Sequence, residues 1–414
     1  MTRDVRMRGF RDRTSVSAAL TVLERRVGPL AEESVPLAEA AGRVAAADVT
    51  ARASVPHFAR SAMDGYALTA ASIVAATADA PVEIPLRGDS MPGRPFAGIL
   101  SAGEAVRITT GAPVPAGADA VLMAELGDEI ERDGVRLLLA RASLAAGKHV
   151  GAVGEDVHAG AVVVTRGRRL RPQDLGVLAS VGVGAIRAVR RPSVGIVITG
   201  DELLPPGSMP TGPFIVDANS LMLAELARRD GAATVRIQRV SDRRAEVRDA
   251  IASATEDVVL ISGGSSVGPE DHAPLVLAEL GEVAVHGVAM RPASPAGFGF
   301  LGVERRRPAF LLPGNPVSCL CAYELFAGPS IRALGGLPRA WPHARRRCQV
   351  ATRIASQVGR TDYVRVAVDG DQVTPIATSG ASILSSTTRA DGVVLVAEGD
   401  AGHDEGTWVE VLLY

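Results

Sequence analysis

From residue 193 onward, short apolar runs alternate with stretches of helical periodicity. Residues 193–199 read as a strand, 219–229 as a helix, 233–240 as a strand and 243–255 as a helix. A buried strand follows at 257–261, then a helix around 273–280 and a strand at 282–288. The last unit is a strand at 309–312 with a helix running to Leu334. Strand–helix alternation sustained over about 140 residues predicts a mostly parallel, doubly wound α/β sheet.

Upstream the texture changes. Residues 15–27 predict an amphipathic helix, followed by Val35-Pro36-Leu37 and a small-residue run at 38–47. Between 51 and 150, short β segments broken by Pro and Gly (82–86, 105–109, 120–123, 134–140) predict an all-β insertion. Residues 160–189 return to a strand, a helix started by Pro172 and a Gly-rich turn. Beyond Trp341-Pro342, residues 348–414 read as the alternating strands of a small β-barrel or sandwich.

Composition narrows the function. A chain of 414 residues is long enough for several domains. A formal charge of −2 provides no basic field to recruit nucleic acid or anionic membrane. Aromatic residues at 3% argue against stacking surfaces for single strands. Lys148 is the only lysine among 44 cations, so a Schiff base or lysine clamp has one candidate. Three cysteines form no disulfide framework, and Cys319 and Cys321 diverge on a helix rather than share a metal. The N-terminus lacks an apolar signal core, and no segment is a membrane-spanning run. The expectation is a soluble, cytoplasmic protein with neither nucleic-acid nor membrane partners.

Two loops carry the chemistry. Ser262-Gly263-Gly264-Ser265-Ser266-Val267-Gly268 closes the 257–261 strand and precedes Glu270 and Asp271. Pro313-Gly314-Asn315-Pro316-Val317-Ser318 closes the 309–312 strand and enters a helix. Small-residue loops at the carboxyl ends of strands are where α/β sheets bind ligands. Glycines let the backbone approach an anion, and helix-start N–H groups supply donors. Both loops therefore predict a phosphate-bearing small molecule.

Carboxylates gather around it. Glu202, in Thr199-Gly200-Asp201-Glu202, lies at the end of the first α/β strand, while Asp201 also reads as a helix cap. Asp217 opens a helix, so it serves either as an N-cap or as a ligand, and Asp271 follows the Gly-Gly loop. Hard oxygens beside phosphate suit Mg²⁺, which makes Glu202, Asp217 and Asp271 the candidate metal ligands. In the β-rich insertion, Asp64-Gly65 reads as a tight turn presenting a carboxylate. Thr110 precedes a rigid Pro-rich turn, and Asp156 ends Gly154-Glu155-Asp156. Ser318 lacks a Gly-x-Ser-x-Gly elbow, and neither a Walker lysine nor Gly-x-Gly-x-x-Gly occurs at a strand–helix turn.

SAMDGYA, ITTGAPVPAGADAV, GED, TGDEL, DAN, SGGSSVGPED and LPGNPVSC, in this order, resemble the MoeA/gephyrin-type molybdopterin molybdenumtransferases from about residue 15 to 414. The resemblance implies four domains: a linker and dimerisation region (1–50 and 150–189), a β-rich lid (51–149), a molybdopterin-binding α/β domain (190–335) and a C-terminal β-barrel (341–414). It also implies a homodimer whose site lies between the α/β domain of one subunit and the lid of the other. The implied reaction is Mg²⁺-dependent insertion of molybdate into adenylylated molybdopterin, yielding molybdenum cofactor and AMP. By motif, Asp64, Thr110, Asp156, Glu202, Asp217 and Asp271 match catalytic positions. The two loops would cradle pyrophosphate and pterin, and Pro295 is a further cofactor-binding position. Arg360 and, in Ser379-Gly380-Ala381-Ser382, Ser382 match an arginine and a serine near molybdate.

One segment departs from the family. Where Lys-Pro-Gly-Lys-Pro-x-x-Phe-Gly is usual, this chain reads Arg291-Pro292-Ala293-Ser294-Pro295-Ala296-Gly297-Phe298-Gly299. Arg291 keeps a charge with different geometry, and Ser294 has none. Loss of one cation weakens a dianion pocket on the order of 1–3 kcal/mol. Arg60 and Val153 also replace Asn or Asp and Arg. These changes support a rival reading, a paralogue that keeps the fold and dimer but binds pterin or acts as a scaffold.

Overall fold

A computed structural model describes residues 12–266, 268, 271–304, 306–377 and 380–414. Expectations touching residues 1–11, Val267, Glu270 and Ser379 lie outside the described residues. The chain forms two compact units, one of residues 34–188 and one joining the segment up to Glu33 with Val189–Tyr414. No described helix is long and apolar enough to cross a membrane.

In the first unit, six strands form one sheet: β1 (Gly65–Leu68), β2 (Val82–Ser90), β3 (Ala105–Ile108), β4 (Ala120–Met123), β5 (Gly127–Arg132) and β6 (Val135–Ala140). Their order is β4-β1-β3-β2-β6-β5. Asp133 and Gly134, at φ 52° and 75°, make the tight turn between β5 and β6. Tyr66, Leu68, Ile84, Leu122 and Leu138 fill the core. The Asp64-Gly65 turn leads directly into a central strand. A Cβ at Gly65 would lie 1.8 Å from the Leu122 carbonyl oxygen, so only glycine fits there. Val35, Ala40 and Ala51 share a second core with Val164, Leu178 and Ile186, so segments before and after the insertion pack together.

The second unit holds β7 (Ser193–Thr199), β8 (Thr234–Val240), β9 (Val258–Ser262), β10 (Gly281–His286), β11 (Gly297–Leu301) and β12 (Arg307–Leu312). The order is β8-β7-β9-β12-β11-β10, parallel through β12 and antiparallel at the last two pairings. Continuous burial along Val258–Ser262 is what a strand covered on both faces requires. Leu223 and Ala227 of helix Asn219–Arg229 cover the face bearing Ile196 and Ile198. Ile251 and Leu277, from helices Arg244–Ser253 and Ala273–Leu280, cover the face bearing Val197 and Ile261. That two-sided cover is the doubly wound arrangement.

Strand β11 was not expected, because Gly-Phe-Gly-Phe lacks a β-forming run. A Cβ at Gly297 or Gly299 would lie 2.6 Å from the Val285 oxygen or 1.9 Å from the Glu282 oxygen. These glycines allow close strand approach, while Phe298 and Phe300 enter the core. Between β10 and β11, Met290–Arg291 leaves the sheet and pairs with the C-terminal domain.

That domain is a closed barrel of β13 (Ala344–Val350), β14 (Thr361–Asp369), β15 (Gln372–Ala377), β16 (Gly392–Val396) and β17 (Trp408–Leu413). The ring runs β14-β15-β13-β17-β16 and back to β14. Val350, Val364, Val366, Val394 and Val411 fill it.

Candidate functional site

A cavity of about 700 Å³ opens at the carboxyl ends of β7, β9 and β12. Its floor is the Gly-Gly turn after β9. Gly263 takes φ 95°, and a Cβ there would sit 2.1 Å from the Thr199 carbonyl oxygen. Only glycine lets the chain turn so close to the end of β7. Ser265 Oγ then donates to the Leu312 carbonyl at 3.0 Å, and His286 Nε2 lies 2.9 Å from the Ser265 carbonyl. Gly264, Ser266 and Gly268 also line the cavity, as do Pro313, Gly314, Asn315 and Pro316.

Asn219 joins the two loops. Its Nδ2 donates to Ser262 Oγ at 3.0 Å and to the Gly314 carbonyl at 2.8 Å, and its buried Oδ1 has no hydrogen-bond partner. Asn219 stands in the Asp-Ala-Asn motif, whose local sequence carries no sign of this bridging role. The helix after Pro316 offers less than expected: the Val317 and Ser318 N–H groups both donate to the Ala381 carbonyl, at 3.0 and 3.4 Å. Ser318 is buried outside the cavity lining, but this docking accompanies Ser382 at the cavity wall.

Among the described lining residues, four are acidic and none is basic: Glu202, Asp217, Asp242 and Asp271. Asp217 is committed inside the protein, with Oδ1 accepting from Ser220 N at 2.9 Å and Oδ2 from Arg239 Nε at 2.8 Å. Burial pushes its carboxyl up, but the Ser220 bonds and Arg239 outweigh that and hold it below its ordinary value. Asp217 therefore caps its helix. Asp201, also weighed as a helix cap, instead exchanges backbone–carboxylate bonds with Asp242, at 3.0 and 3.2 Å. Asp242, to which Thr199 Oγ1 donates, was missed. It follows β8 as Glu202 follows β7, so the same strand-end signal would have found it. No group of three His, Cys, Asp or Glu side chains among the described residues is arranged to hold a metal. Glu202, Asp217 and Asp271 share the cavity but do not form a three-ligand cage.

Pro295 reaches the cavity wall, while Arg291, Ser294 and Arg360 do not line it. Ala293 holds φ 84° where the resembled motif has glycine.

In the first unit, Asp64 Oδ1 accepts from Thr110 N at 2.7 Å and from Thr110 Oγ1 at 2.9 Å. Thr110 lines a separate cavity of about 420 Å³ with Ser61, His149, Arg60 and Glu155. Arg60 and Glu155 form an ion pair at 3.0 Å. Asp156 is exposed and outside this lining, so its motif presents Glu155 to the cavity.

Comparison with known proteins agrees with this architecture. Residues 14–182 match the MoeA N-terminal region (domain I and II), 195–333 a probable molybdopterin binding domain, and 347–414 the MoeA C-terminal region (domain IV). A putative molybdopterin biosynthesis protein of Methanocaldococcus jannaschii is 34% identical over 394 residues, 92% of each chain. A molybdopterin molybdenumtransferase of Bacillus subtilis is 32% identical over 389 residues, 92% of this chain and 89% of that one. A solved MoeA structure from Pyrococcus horikosii superposes with a TM-score of 0.83 at 32% identity, covering 97% of this chain and 99% of that one.

Proposed function

The chain belongs to the MoeA family, and from that premise we propose that it is a molybdopterin molybdenumtransferase. It inserts molybdate into adenylylated molybdopterin and releases AMP and molybdenum cofactor. The observation that carries this reading is the cavity at the strand ends, where two small-residue loops meet four carboxylates. Relatives named molybdopterin molybdenumtransferase, 32–36% identical, support the same reaction.

The Gly-Gly and Pro-Gly-Asn-Pro loops bind pterin and pyrophosphate through backbone that no side chain obstructs. Asn219 keeps them at fixed separation. The acidic lining repels phosphate unless a cation intervenes, so Mg²⁺ fits as cofactor. Glu202 and Asp271 are the residues that would hold it, with substrate oxygens and water completing its shell. Asp217 lines the same cavity, but its oxygens already accept from Ser220 and Arg239, which makes it the weaker third candidate. When bound, Mg²⁺ supplies charge neutralisation at the phosphates. Asp64, Thr110 and Asp156 act from a second copy of the chain in a cytoplasmic homodimer.

The test is reconstitution: purified protein, adenylylated molybdopterin, molybdate and Mg²⁺, with AMP release and cofactor formation measured together. Molybdate-dependent appearance of both is expected. Pterin binding without either product, at every molybdate concentration, would establish the non-catalytic paralogue that Ser294 favours.

A further inference from the structure

The two arginines assigned to the oxyanion, Arg291 and Arg360, are joined by one carboxylate, Asp362. The side chain of Asp362 has no exposed surface. It accepts from Arg291 Nη2 and from Ser356 Oγ, the latter at 2.8 Å, and its Oδ1 lies 3.1 Å from Arg360 Nε. Backbone pairing creates the contact, because Arg291 stands in register with Asp362 where Met290–Arg291 runs parallel to β14. A segment between two α/β strands is thereby fastened to the barrel at the residue that carries the charge.

Two guanidiniums and one carboxylate leave a formal net charge of +1. The pairing does not exhaust the donors, since each guanidinium has five N–H groups. Arg291 Nε and Ser294 Oγ are buried without a hydrogen-bond partner, and Arg360 Nε is near Asp362 without hydrogen-bond geometry. Asp362 Oδ1 is likewise buried without a hydrogen-bond partner beside Arg360 Nε, so the donors left for an acceptor from outside the protein are Arg291 Nε and Ser294 Oγ.

We propose that Asp362 is the positioning residue of the oxyanion subsite. It clamps Arg291 and Arg360 so that their remaining N–H groups, with the Ser294 hydroxyl, converge on one tetrahedral oxyanion. Long cationic side chains lose conformational freedom on binding, and a clamp that orders them beforehand removes that cost from the binding step. The carboxylate also offsets the repulsion between two guanidiniums held close together. Molybdate as the oxyanion rests on the molybdenumtransferase reading; the clamp itself rests on the cluster.

The test compares native protein with Asp362→Asn, Asp362→Glu and Ser356→Ala. Molybdate binding is measured by calorimetry, and cofactor formation across a molybdate range. Asp362→Asn should raise both the molybdate dissociation constant and the half-saturating concentration by about tenfold. Affinity for adenylylated molybdopterin should stay within about twofold. Asp362→Glu should recover part of the loss, and Ser356→Ala should shift molybdate binding in the same direction by less. Unchanged or tighter molybdate binding in Asp362→Asn overturns the clamp, as does an equal loss of pterin affinity. If Asp362→Asn does not fold, unaltered molybdate binding in both other variants overturns it. Native protein that binds molybdate but makes no cofactor would sink the molybdenumtransferase reading and leave the clamp standing. Native protein that binds no molybdate would sink the clamp.

Discussion

Thr110 donates two hydrogen bonds to one oxygen of Asp64, from its backbone N at 2.7 Å and from its hydroxyl at 2.9 Å. The backbone bond first, and then the hydroxyl, hold the Asp64 carboxyl below its ordinary value although it is exposed. Thr110→Ala removes only the hydroxyl bond. Cofactor formation should fall on the order of tenfold, the scale of one hydrogen bond to a charged group, and Thr110→Ser should restore it. The Asp64 carboxyl would move up towards its ordinary value, so the acid limb of the pH–rate profile should shift to higher pH. An unshifted limb with full activity would show that Asp64 does not depend on Thr110.

Asp64 and Asp271 belong to different compact units. If a second copy of the chain supplies Asp64 to the site, Asp64→Asn and Asp271→Asn subunits should complement each other. A mixed dimer then contains one site with both carboxylates intact. Activity of the mixture above that of either variant alone is expected after subunit exchange. A mixture no better than its parts would mean that each chain builds its own site.

Ser294 has a buried hydroxyl without a hydrogen-bond partner. Ser294→Lys adds a cation three positions after Arg291 and should lower the molybdate concentration for half-maximal activity by roughly tenfold, about 1.4 kcal/mol. Equal titration curves for native and variant would mean that Arg291, as a multi-donor cation, already compensates.

Asp257 anchors the start of β9, accepting from both Nη atoms of Arg190 at 2.8 and 2.6 Å and from Ser193 N and Oγ at 2.8 Å. Burial pushes its carboxyl up, but Arg190 and Ser193 outweigh burial and hold it below its ordinary value. A carboxyl depressed in the folded state contributes stability above its unfolded pKa and loses it as pH falls through the folded one. Asp257→Asn should therefore cost about 2 kcal/mol at pH 7 in denaturant unfolding. The gap from native should narrow as pH drops below about 4. A gap independent of pH would mean that the side chain acts by packing alone.

The chain's local pattern determined a great deal. Helix Asn219–Arg229 and strand Ser193–Thr199 were legible residue for residue, because periodicity records which side of an element is buried. The Gly-Gly and Pro-Gly-Asn-Pro loops were legible for a similar reason, since close backbone approach leaves small residues in sequence. Partnership is different, because it depends on which distant segment arrives. Arg291 and Asp362 are 71 positions apart and meet only because a two-residue segment leaves the sheet to pair with the barrel. Asp242 joins Asp201, and Arg239 takes Asp217, only once β8 lies beside β7. Strand β11 stayed hidden because its glycines answer to the neighbouring strand's carbonyls, a constraint with no local signature. Sequence thus determined the elements and the loops between them. Tertiary structure decided which charges are spent inside the protein and which remain for a ligand, because each depends on distances between segments remote along the chain.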